Sequence, residues 1–486
     1  MFNFTLLTRT HLVAILCFFI LTLIPLTAIT QNMPDPVNQA LQQAGIPESA
    51  VAIYVHEIGE TQPLIAINAK AAMNPASVMK LVTTFAGLEL LGPTYTWKTE
   101  LYANGIIEDG VLQGDLVIKG YGDPKLNLEN FWLLVRHLRQ TGLREITGNL
   151  ILDNSYFDVI NEDSAAFDGK FYRTYNVSPE ALLVNYRMLS FHLTPQPKIK
   201  SVRVIIDPLP ESLTLSNNLK LTDGECGDWR DILDIDIHAS TTEKIRTLVA
   251  LNGSYATKCG EKNLHLSLHN SSTYTLMLFR QLWEEQNGIF HGRVLTDQTS
   301  KGLIPLETHR SPPLAEIVRD INKFSNNIAA RQLYLALGSV DAVNNKVMTL
   351  TQSNTSIRQW LAIKKLNFPE LIMENGSGLS RNERISADHL GQLLINAFQS
   401  PVMPEFISSL PIVAIDGTMK ERLNDRPITG QAHIKTGLLD NVKSIAGYVL
   451  DKLNRRIIVI FIINHSQSRQ AQPAMDALLQ WVHARP

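Results

Sequence analysis

Asn-Pro-Ala-Ser-Val-Met-Lys-Leu-Val-Thr-Thr, residues 74–84, is the stretch on which the interpretation of the chain rests. Proline suits the first position of a helix, so a helix beginning near Pro75 would carry Ser77 in its first turn and Lys80 one turn on, facing the same way. A serine hydroxyl needs a base to become a nucleophile, and burial turns a lysine into one by lowering its pKa. Ser-x-x-Lys alone is a weak signal because it recurs by chance. The stretch nevertheless suits acyl transfer.

The composition describes a globular chain. It has 486 residues, of which 45% are hydrophobic, and a formal net charge of -2. That length allows more than one domain with its own core. The near-neutral charge gives no electrostatic reason to expect nucleic acid as a partner.

Residues 1–30 have the pattern of a signal peptide. Arg9 and His11 precede an apolar run from Leu12 to about Leu26, which is short for a membrane-spanning helix. This favours cleavage over anchoring. We therefore expect an exported protein, associated with the membrane only if this segment is retained.

Three cysteines are present, and Cys17 lies within the signal segment. Cys226 and Cys259 remain for the mature protein, and an even pair in an oxidising compartment predicts one disulfide. Two unpaired thiols are the alternative. His265 and His269 resemble a metal-binding pair, but no third ligand stands at a useful spacing, so no metal or cofactor is expected.

Hydrophobic periodicity and turn residues predict the secondary structure. Helices are expected at residues 37–44, 128–141, 314–322, 327–337, 355–366, 387–398 and 473–484, and strands at 51–56, 64–67, 98–103, 110–114, 115–119, 145–153, 189–193, 202–206, 265–268, 433–436, 444–450 and 456–463. The first two and last two strands form hairpins. The economical arrangement is an α+β fold, with both hairpins in one antiparallel sheet packed on the terminal helix and the Ser77 helix.

The domain organisation is inferred from a change in the residue pattern after residue 95. Residues 96–305 are rich in short β-like runs broken by glycine and proline, and we interpret them as an insertion. Within it, residues 195–265 carry both mature cysteines and are expected to form a nested β subdomain. Residues 31–95 and 306–486 would then be two parts of one domain.

Two later motifs give Ser77 partners. Phe-Ser-Asn-Asn, residues 324–327, offers Ser325 as a proton relay and Asn327 as a hydrogen-bonding group for a substrate amide. His-Ile-Lys-Thr-Gly-Leu, residues 433–438, is a strand with a cation, a hydroxyl and a glycine that permits close backbone approach. An ordinary helix cap and an exposed edge strand are the simpler alternatives.

Penicillin-recognising serine enzymes use these three motifs in this order. The sequence resembles the D-alanyl-D-alanine carboxypeptidase/endopeptidase group of low-molecular-mass class C penicillin-binding proteins (peptidase family S13) over nearly the whole mature chain. Between Lys80 and Ser325 there are 244 residues, far more than in β-lactamases, and that group is known for a long insertion there. Other stretches that look like its members are residues 122–124, 325–327, 375–380 and 445–449.

The resemblance implies a serine transpeptidase/β-lactamase-like domain interrupted by a large β-rich insertion. It implies a periplasmic bacterial enzyme that acts on peptidoglycan stem peptides in cell-wall remodelling and takes β-lactam antibiotics as covalent inhibitors. Sequence leaves open the balance of carboxypeptidase and endopeptidase activity. It also leaves open the third residue of the stem peptide, the role of the insertion and the oligomeric state.

The resemblance also assigns roles to residues. Ser77 would be the acylated nucleophile, Lys80 its general base and Ser325 the proton shuttle toward the leaving amine. The substrate-binding residues would be Asn327 for the acyl-side amide, Lys435 and Thr436 for the terminal carboxylate, and Gly437 and Leu438 beside them. The backbone N–H groups of Ser77 and Leu438 would form the oxyanion hole.

Leu438 is a departure, because the family usually has threonine or serine there. One hydroxyl for the carboxylate is therefore missing, while the backbone N–H is unchanged. Two other functions compete: a β-lactamase, against which the insertion argues, and a catalytically vestigial wall-binding protein, against which the complete set of motif residues argues.

Overall fold

The computed structural model describes residues 32–159, 164–210, 212–240, 246–340 and 347–486. The predicted signal peptide, residues 1–30, lies outside these ranges. Within them, no helix combines the length and the apolar character needed to cross a membrane.

The strands of the described ranges are, in chain order, β1 (Val51–Glu57), β2 (Ile65–Ile67), β3 (Lys98–Glu108), β4 (Val111–Gly120), β5 (Glu145–Ile146), β6 (Leu150–Asp153), β7 (Leu189–Gln196), β8 (Ser201–Asp207), β9 (Leu213–Asn217), β10 (Lys220–Thr222), β11 (Leu233–Ser240), β12 (Arg246–Ala256), β13 (Lys262–Leu266), β14 (Ile289–Phe290), β15 (Val294–Thr296), β16 (Pro305–Arg310), β17 (Ala432–Leu439), β18 (Val442–Leu450) and β19 (Arg456–Asn464). The α-helices are α1 (Asp35–Gln43), α2 (Lys80–Leu90), α3 (Leu128–Gln140), α4 (Trp229–Ile232), α5 (Ser271–Glu285), α6 (Leu314–Lys323), α7 (Asn327–Ala336), α8 (Leu350–Ile363), α9 (Ala387–Gln399), α10 (Met403–Ser408) and α11 (Gln472–His483).

Both predicted hairpins lie in one antiparallel sheet, as expected. Its order among the described strands is β17-β18-β19-β1-β2, so the start of the chain pairs with its end through β1 and β19. One of its two edge strands is β17, which carries the Lys-Thr-Gly motif and is bridged at His433 by Ile412. The α+β fold predicted from the sequence is therefore confirmed.

Alternation along β1 shows how the sheet is covered on both faces. Val51, Ile53 and Val55 pack with the terminal helices α1 and α11, whereas Ala52 and Tyr54 pack with α2 and α9. Successive strand residues point to opposite faces, so each side of β1 meets a different helical layer. Burial of each such aliphatic side chain contributes about 1.5–3 kcal/mol.

Helix α2 lies at the centre of the larger core. Every residue from Lys80 to Leu88 is buried, because the helix is enclosed by the sheet and by helices including α6, α7 and α9. A helix that is apolar on nearly all sides is a core helix. The Ser77 segment is therefore held by rigid neighbours.

The predicted insertion contains the remaining sheets of the described chain. One has the order β14-β5-β4-β3-β16 with β6 and β15 attached, and two smaller ones contain β7, β8 and β13, and β9 to β12. The strand β16 pairs with β3, so this sheet extends through Arg310, beyond the predicted limit at residue 305. The domain boundaries themselves stay a prediction.

Glycines caused one difference between expectation and structure. Two strands were expected at 110–114 and 115–119, but β4 is a single strand that runs through Gly114. A side-chain carbon at Gly114 would lie 2.3 Å from Asn104 O, so this glycine permits close strand approach and does not break the strand. Conversely, the strand expected at 145–153 is divided into β5 and β6, and that expected at 265–268 is β13, which begins at Lys262.

The predicted disulfide is present between Cys226 and Cys259. It joins the segment after β10 to the short turn Thr257–Cys259 after β12, with the Cα atoms 4.7 Å apart. Cys259 is buried in the core of the insertion. The bond therefore links two parts of one apolar cluster.

Replacing both cysteines by serine is expected to lower the free energy of unfolding of the insertion by on the order of 3–4 kcal/mol, since the open loop gains entropy in the unfolded chain. Thermal unfolding followed by circular dichroism measures this loss. Penicillin labelling should persist, because Ser77 lies outside that cluster. Two titratable thiols in denatured, unreduced mature protein would contradict the bridge.

Candidate active site

Ser77 lies where the chain turns into α2. A short 3-10 turn, Ala76–Met79, follows Pro75 and leads directly into α2. Ala76 has a φ of 47°, in the left-handed region that non-glycine residues rarely adopt, and its N–H donates to Asn74 Oδ1 at 2.9 Å. Ser77 is half-buried at the mouth of this turn. The 3-10 turn begins one residue after Pro75, as expected for a helix start there, but the α-helix itself begins at Lys80, so Ser77 lies in the turn before α2.

Lys80 is fully buried directly behind Ser77. Its Nζ atom lies 3.0 Å from Ser77 Oγ, 2.5 Å from Asn327 Oδ1 and 2.5 Å from the Ser377 carbonyl oxygen. A neutral amine has two hydrogens and one lone pair, which matches two acceptors and one hydroxyl donor. Burial, assisted by the charge of Lys435, holds the pKa of Lys80 well below its usual value. The arrangement can pass the serine proton to Lys80.

The loop of residues 375–380 forms one wall of the site. A side-chain carbon at Gly378, where φ is +81°, would lie 2.0 Å from Ala76 O, so only glycine permits this approach. Thr83 Oγ1 donates to Gly376 O at 2.6 Å, which fixes the loop on α2. The family resemblance included this stretch without assigning a role to any of its residues.

Ser325 and Lys435 face the pair from the other side. Lys435 is fully buried, and its Nζ donates to Ser325 Oγ at 2.9 Å and to Thr436 O at 2.7 Å. Burial lowers the pKa of Lys435 to about 7. Ser325 has a φ of 56°, in the left-handed region that is strained for a non-glycine residue. The simpler alternative, an exposed edge strand, therefore does not hold for Lys435, whose side chain is buried.

The two residues after Ser325 have different roles: Asn326 caps a helix and Asn327 contacts Lys80. Asn326 caps α7 by accepting from Ala329 N at 3.0 Å, so the ordinary cap foreseen as an alternative is Asn326. Asn327, the first residue of α7, contacts Lys80. The structure therefore brings Ser77, Lys80 and Asn327 together.

The edge strand β17 approaches the serine through Gly437. A side-chain carbon there would lie 3.0 Å from Ser77 N and 2.7 Å from Pro75 O, which explains the need for glycine. Ser444 Oγ, on the neighbouring strand β18, donates to Pro75 O at 2.6 Å. Leu438 follows and is 55% exposed. The strand backbone thus borders Ser77.

Glu383 is a buried acid that the sequence gave no reason to notice. Its side chain is fully buried, and Oε1 accepts from the backbone N–H groups of Glu374 and Asn375 at 3.3 Å each. Burial raises the pKa of Glu383 to about 7, against the opposing effect of these donors and of Lys80. Its carboxyl group lies behind the loop that contacts Lys80.

A cavity of about 800 Å³ opens beside this loop. Leu379 and Arg381 line it from one side, and Phe167 of the predicted insertion lines it from the other, with the Arg381 guanidinium carbon 4.7 Å from the Phe167 ring centre. The cavity thus adjoins the loop of residues 375–380, and neither Ser77 nor Lys80 lines it.

The suggested histidine pair does not gather further ligands. His265 Nδ1 contacts Ser190 Oγ at 3.0 Å. In the ranges that the structure describes, no three histidine, cysteine, aspartate or glutamate side chains are grouped as a metal site.

A core helix that carries a serine and a buried lysine, set against the edge of an antiparallel sheet, defines the serine transpeptidase and β-lactamase class of fold. Within that class the family is defined by the whole sequence. The chain belongs to the D-Ala-D-Ala carboxypeptidase 3 (S13) family, whose sequence model matches residues 34–484.

Relatives agree over most of the chain. D-alanyl-D-alanine carboxypeptidase DacB of Haemophilus influenzae is 22% identical over 440 residues, which cover 90% of this chain and 87% of the relative. The crystal structure of penicillin-binding protein 4 (dacB) from that organism matches with a TM-score of 0.75 at 21% identity, covering 92% of this chain and 99% of the other. The same protein complexed with a novel β-lactam matches with a TM-score of 0.70 at 21% identity, covering 93% and 100%.

Proposed function

We propose that this protein is a serine D-Ala-D-Ala carboxypeptidase, with endopeptidase activity on cross-linked stem peptides, that acts through an acyl-enzyme on Ser77. The observation that carries the proposal is the contact of 3.0 Å between Ser77 Oγ and the fully buried Lys80 amine. Membership in the S13 family supports the substrate class.

Acylation begins with Ser77. Lys80 accepts the hydroxyl proton while Asn327 and Ser377 keep the amine oriented, and Oγ attacks the carbonyl carbon of the bond between the two D-Ala residues. The negative charge that develops on the carbonyl oxygen is received by the backbone N–H groups of Ser77 and Leu438. The Gly437 approach to Ser77 N supports this placement.

Collapse of the tetrahedral intermediate breaks the C–N bond and releases D-Ala. Ser325 gives its proton to the leaving nitrogen and takes up the proton that Lys80 removed from Ser77, so Lys80 is neutral again. Lys435 Nζ, 2.9 Å from Ser325 Oγ, keeps its charge and orients that hydroxyl. The product is an ester on Ser77 Oγ. Water then attacks this ester, with Lys80 again as base, and restores the serine.

Recognition of the terminal carboxylate is assigned to Lys435 and Thr436. Both belong to the edge strand β17, beside the leaving-group position implied by Ser325. Asn327 serves the acyl-side amide. This places the substrate along β17 with its carboxylate at the Lys435 end.

Partners and location follow from the same proposal. The partners are peptidoglycan peptides, and β-lactam antibiotics are covalent inhibitors because they present a carboxylate and a reactive amide in similar positions. The relative from Haemophilus influenzae described with a β-lactam supports this. Export to the periplasm is consistent with the Cys226–Cys259 disulfide.

Two assays test the proposed function. Purified mature protein is incubated with a stem peptide ending in D-Ala-D-Ala, and D-Ala release is measured. In parallel it is incubated with a cross-linked peptide dimer, and monomer release is measured. Release of neither product by folded protein would reject the enzyme assignment and favour a vestigial wall-binding protein. Rapid turnover of penicillin with no peptide hydrolysis would favour a β-lactamase.

Lys435→Ala should weaken hydrolysis of a D-Ala-D-Ala peptide much more than hydrolysis of the matching peptide with an amidated terminus. The amide lacks the charge that Lys435 is assigned to bind. A charge-assisted hydrogen bond contributes about 1.5–3 kcal/mol, so the acid-over-amide preference in kcat/KM should fall by roughly one to two powers of ten. Steady-state kinetics on the two peptides measures this ratio.

The matched control is Lys452→Ala, which removes an exposed lysine in the turn between β18 and β19 and should leave the ratio unchanged. Wild-type protein supplies a second check. Lys435 loses its charge as pH rises through about 7, so the preference for the free acid should decline in that direction. Equal losses on acid and amide in Lys435→Ala would instead place Lys435 in the proton path alone.

A further inference from the structure

A hydroxyl from outside the Lys-Thr-Gly strand lies beside Thr436. Thr418 Oγ1 is 2.8 Å from Thr436 Oγ1. Thr418 is exposed and belongs to the short 3-10 turn Gly417–Met419, in the segment between α10 and β17. Since its side chain is exposed, core packing does not explain its position.

The turn that presents Thr418 is anchored on the element that presents Ser325. Gly417 has a φ of +57°, and a side-chain carbon there would lie 2.5 Å from Lys323 O, at the end of α6. Asp416 binds Lys323 Nζ at 2.6 Å and accepts from Ile412 N at 2.7 Å. Lys323 is itself buried. The Thr418 hydroxyl is therefore held at a fixed distance from the cleft.

The number of hydroxyl protons determines how Thr418 affects the Thr436 hydroxyl. Each threonine hydroxyl has one hydrogen, so in a pair 2.8 Å apart one oxygen donates and the other accepts. In the structure Thr436 Oγ1 donates to Thr418 Oγ1. A hydroxyl hydrogen rotates to suit its acceptors, so a substrate carboxylate, as the stronger acceptor, takes the Thr436 proton, and Thr418 then donates to Thr436. Such a chain also polarises the outer hydroxyl and strengthens its bond to an anion.

We propose that Thr418 is a specificity-determining positioning residue, which orients the Thr436 hydroxyl toward the terminal carboxylate of the substrate. This inference rests on the proposed function. It also accounts for Leu438, which offers no hydroxyl to the carboxylate and is exposed. Thr418 compensates for that loss from a neighbouring turn.

The experiment measures kcat/KM for the D-Ala-D-Ala peptide and for its amidated counterpart. Thr418→Val removes the hydroxyl and keeps the shape of the side chain, and the acid-over-amide ratio should fall about three- to tenfold. Thr418→Ser keeps the hydroxyl and should retain the wild-type ratio. Thr429→Val is the matched control, because Thr429 is exposed in the same segment and bonds to Leu423 O.

Double variants distinguish a loss of Thr436 hydroxyl orientation from a general loss of activity. In a Thr436→Val background, Thr418→Val should have no further effect, because its action passes through Thr436. Leu438→Thr in the Thr418→Val background should restore the ratio by adding a hydroxyl on β17. Either independent losses in the Thr436→Val background or equal losses on acid and amide in Thr418→Val would overturn the inference.

The same measurements distinguish this inference from the proposed function. If wild-type protein hydrolyses both peptides and Thr418→Val keeps the wild-type ratio, only the role of Thr418 fails. If folded wild-type protein hydrolyses neither peptide, the proposed function fails, and the Thr418 inference fails with it.

Discussion

Ser77→Ala is expected to abolish covalent labelling by penicillin while the protein stays folded. The change removes only the hydroxyl that would carry the acyl group, and Ser77 is half-buried at the mouth of the site, outside the packed core. Labelled penicillin, resolved on a denaturing gel, measures the loss. Unchanged circular dichroism and melting temperature would show that the fold is intact.

The matched control is Ser408→Ala, which removes an exposed serine hydroxyl on α10 whose bond is to its own helix. It should label like wild type. Labelling of Ser77→Ala at undiminished stoichiometry would reject Ser77 as nucleophile and require another acylated residue. D-Ala release should disappear in the same variant, which ties the inhibitor site to the peptide site.

The local motifs could be recognised in the sequence because each is short and its residue types suit one chemical role. Ser77 and Lys80 are three residues apart, so helical periodicity alone places their side chains together. The Lys-Thr-Gly strand was recognisable because a cation, a hydroxyl and a glycine in succession are rare. Alternation at the two ends of the chain predicted one shared sheet, and β1 indeed pairs with β19.

The remaining walls of the site arise from contacts between distant residues. Lys80 reaches a backbone carbonyl at Ser377, 297 residues along the chain, and no local pattern specifies a carbonyl acceptor. Glu383 stands in a polar stretch that would be expected at the surface, yet tertiary packing buries it. Thr418 was missed for the same reason, since its contact with Thr436 depends on the turn at Gly417.

Glycine has two different structural roles in this protein, and the sequence alone does not distinguish them. In β4 it permits close pairing within a strand, whereas at Gly378 it permits a loop to touch Ala76 O. The predictions from the sequence treated glycine mainly as a residue that ends strands and helices. The role of a given glycine depends on which backbone segments lie beside it, and those neighbours are known only from the assembled sheets and loops.

The second large effect concerns the base. Lys80→Arg is expected to lose acylation by penicillin by on the order of 10²–10⁴-fold, since general-base catalysis contributes about that much. Arginine keeps its proton and cannot accept one from Ser77. Pre-steady-state labelling measures the acylation rate. Circular dichroism is needed beside it, because the larger guanidinium must enter a fully buried position.

The pH profile separates loss of a base from loss of packing. Burial lowers the pKa of Lys80, so the amine is neutral above that pKa and protonated below it. Wild-type acylation should therefore fall as the pH drops through the pKa of Lys80 in the folded protein. The residual rate of Lys80→Arg should show no such acidic limb, because its guanidinium stays charged throughout. A folded arginine variant that acylates at the wild-type rate near neutral pH would exclude Lys80 as the base, and would leave its contacts with Asn327 and Ser377 as structural support for the Ser77 turn.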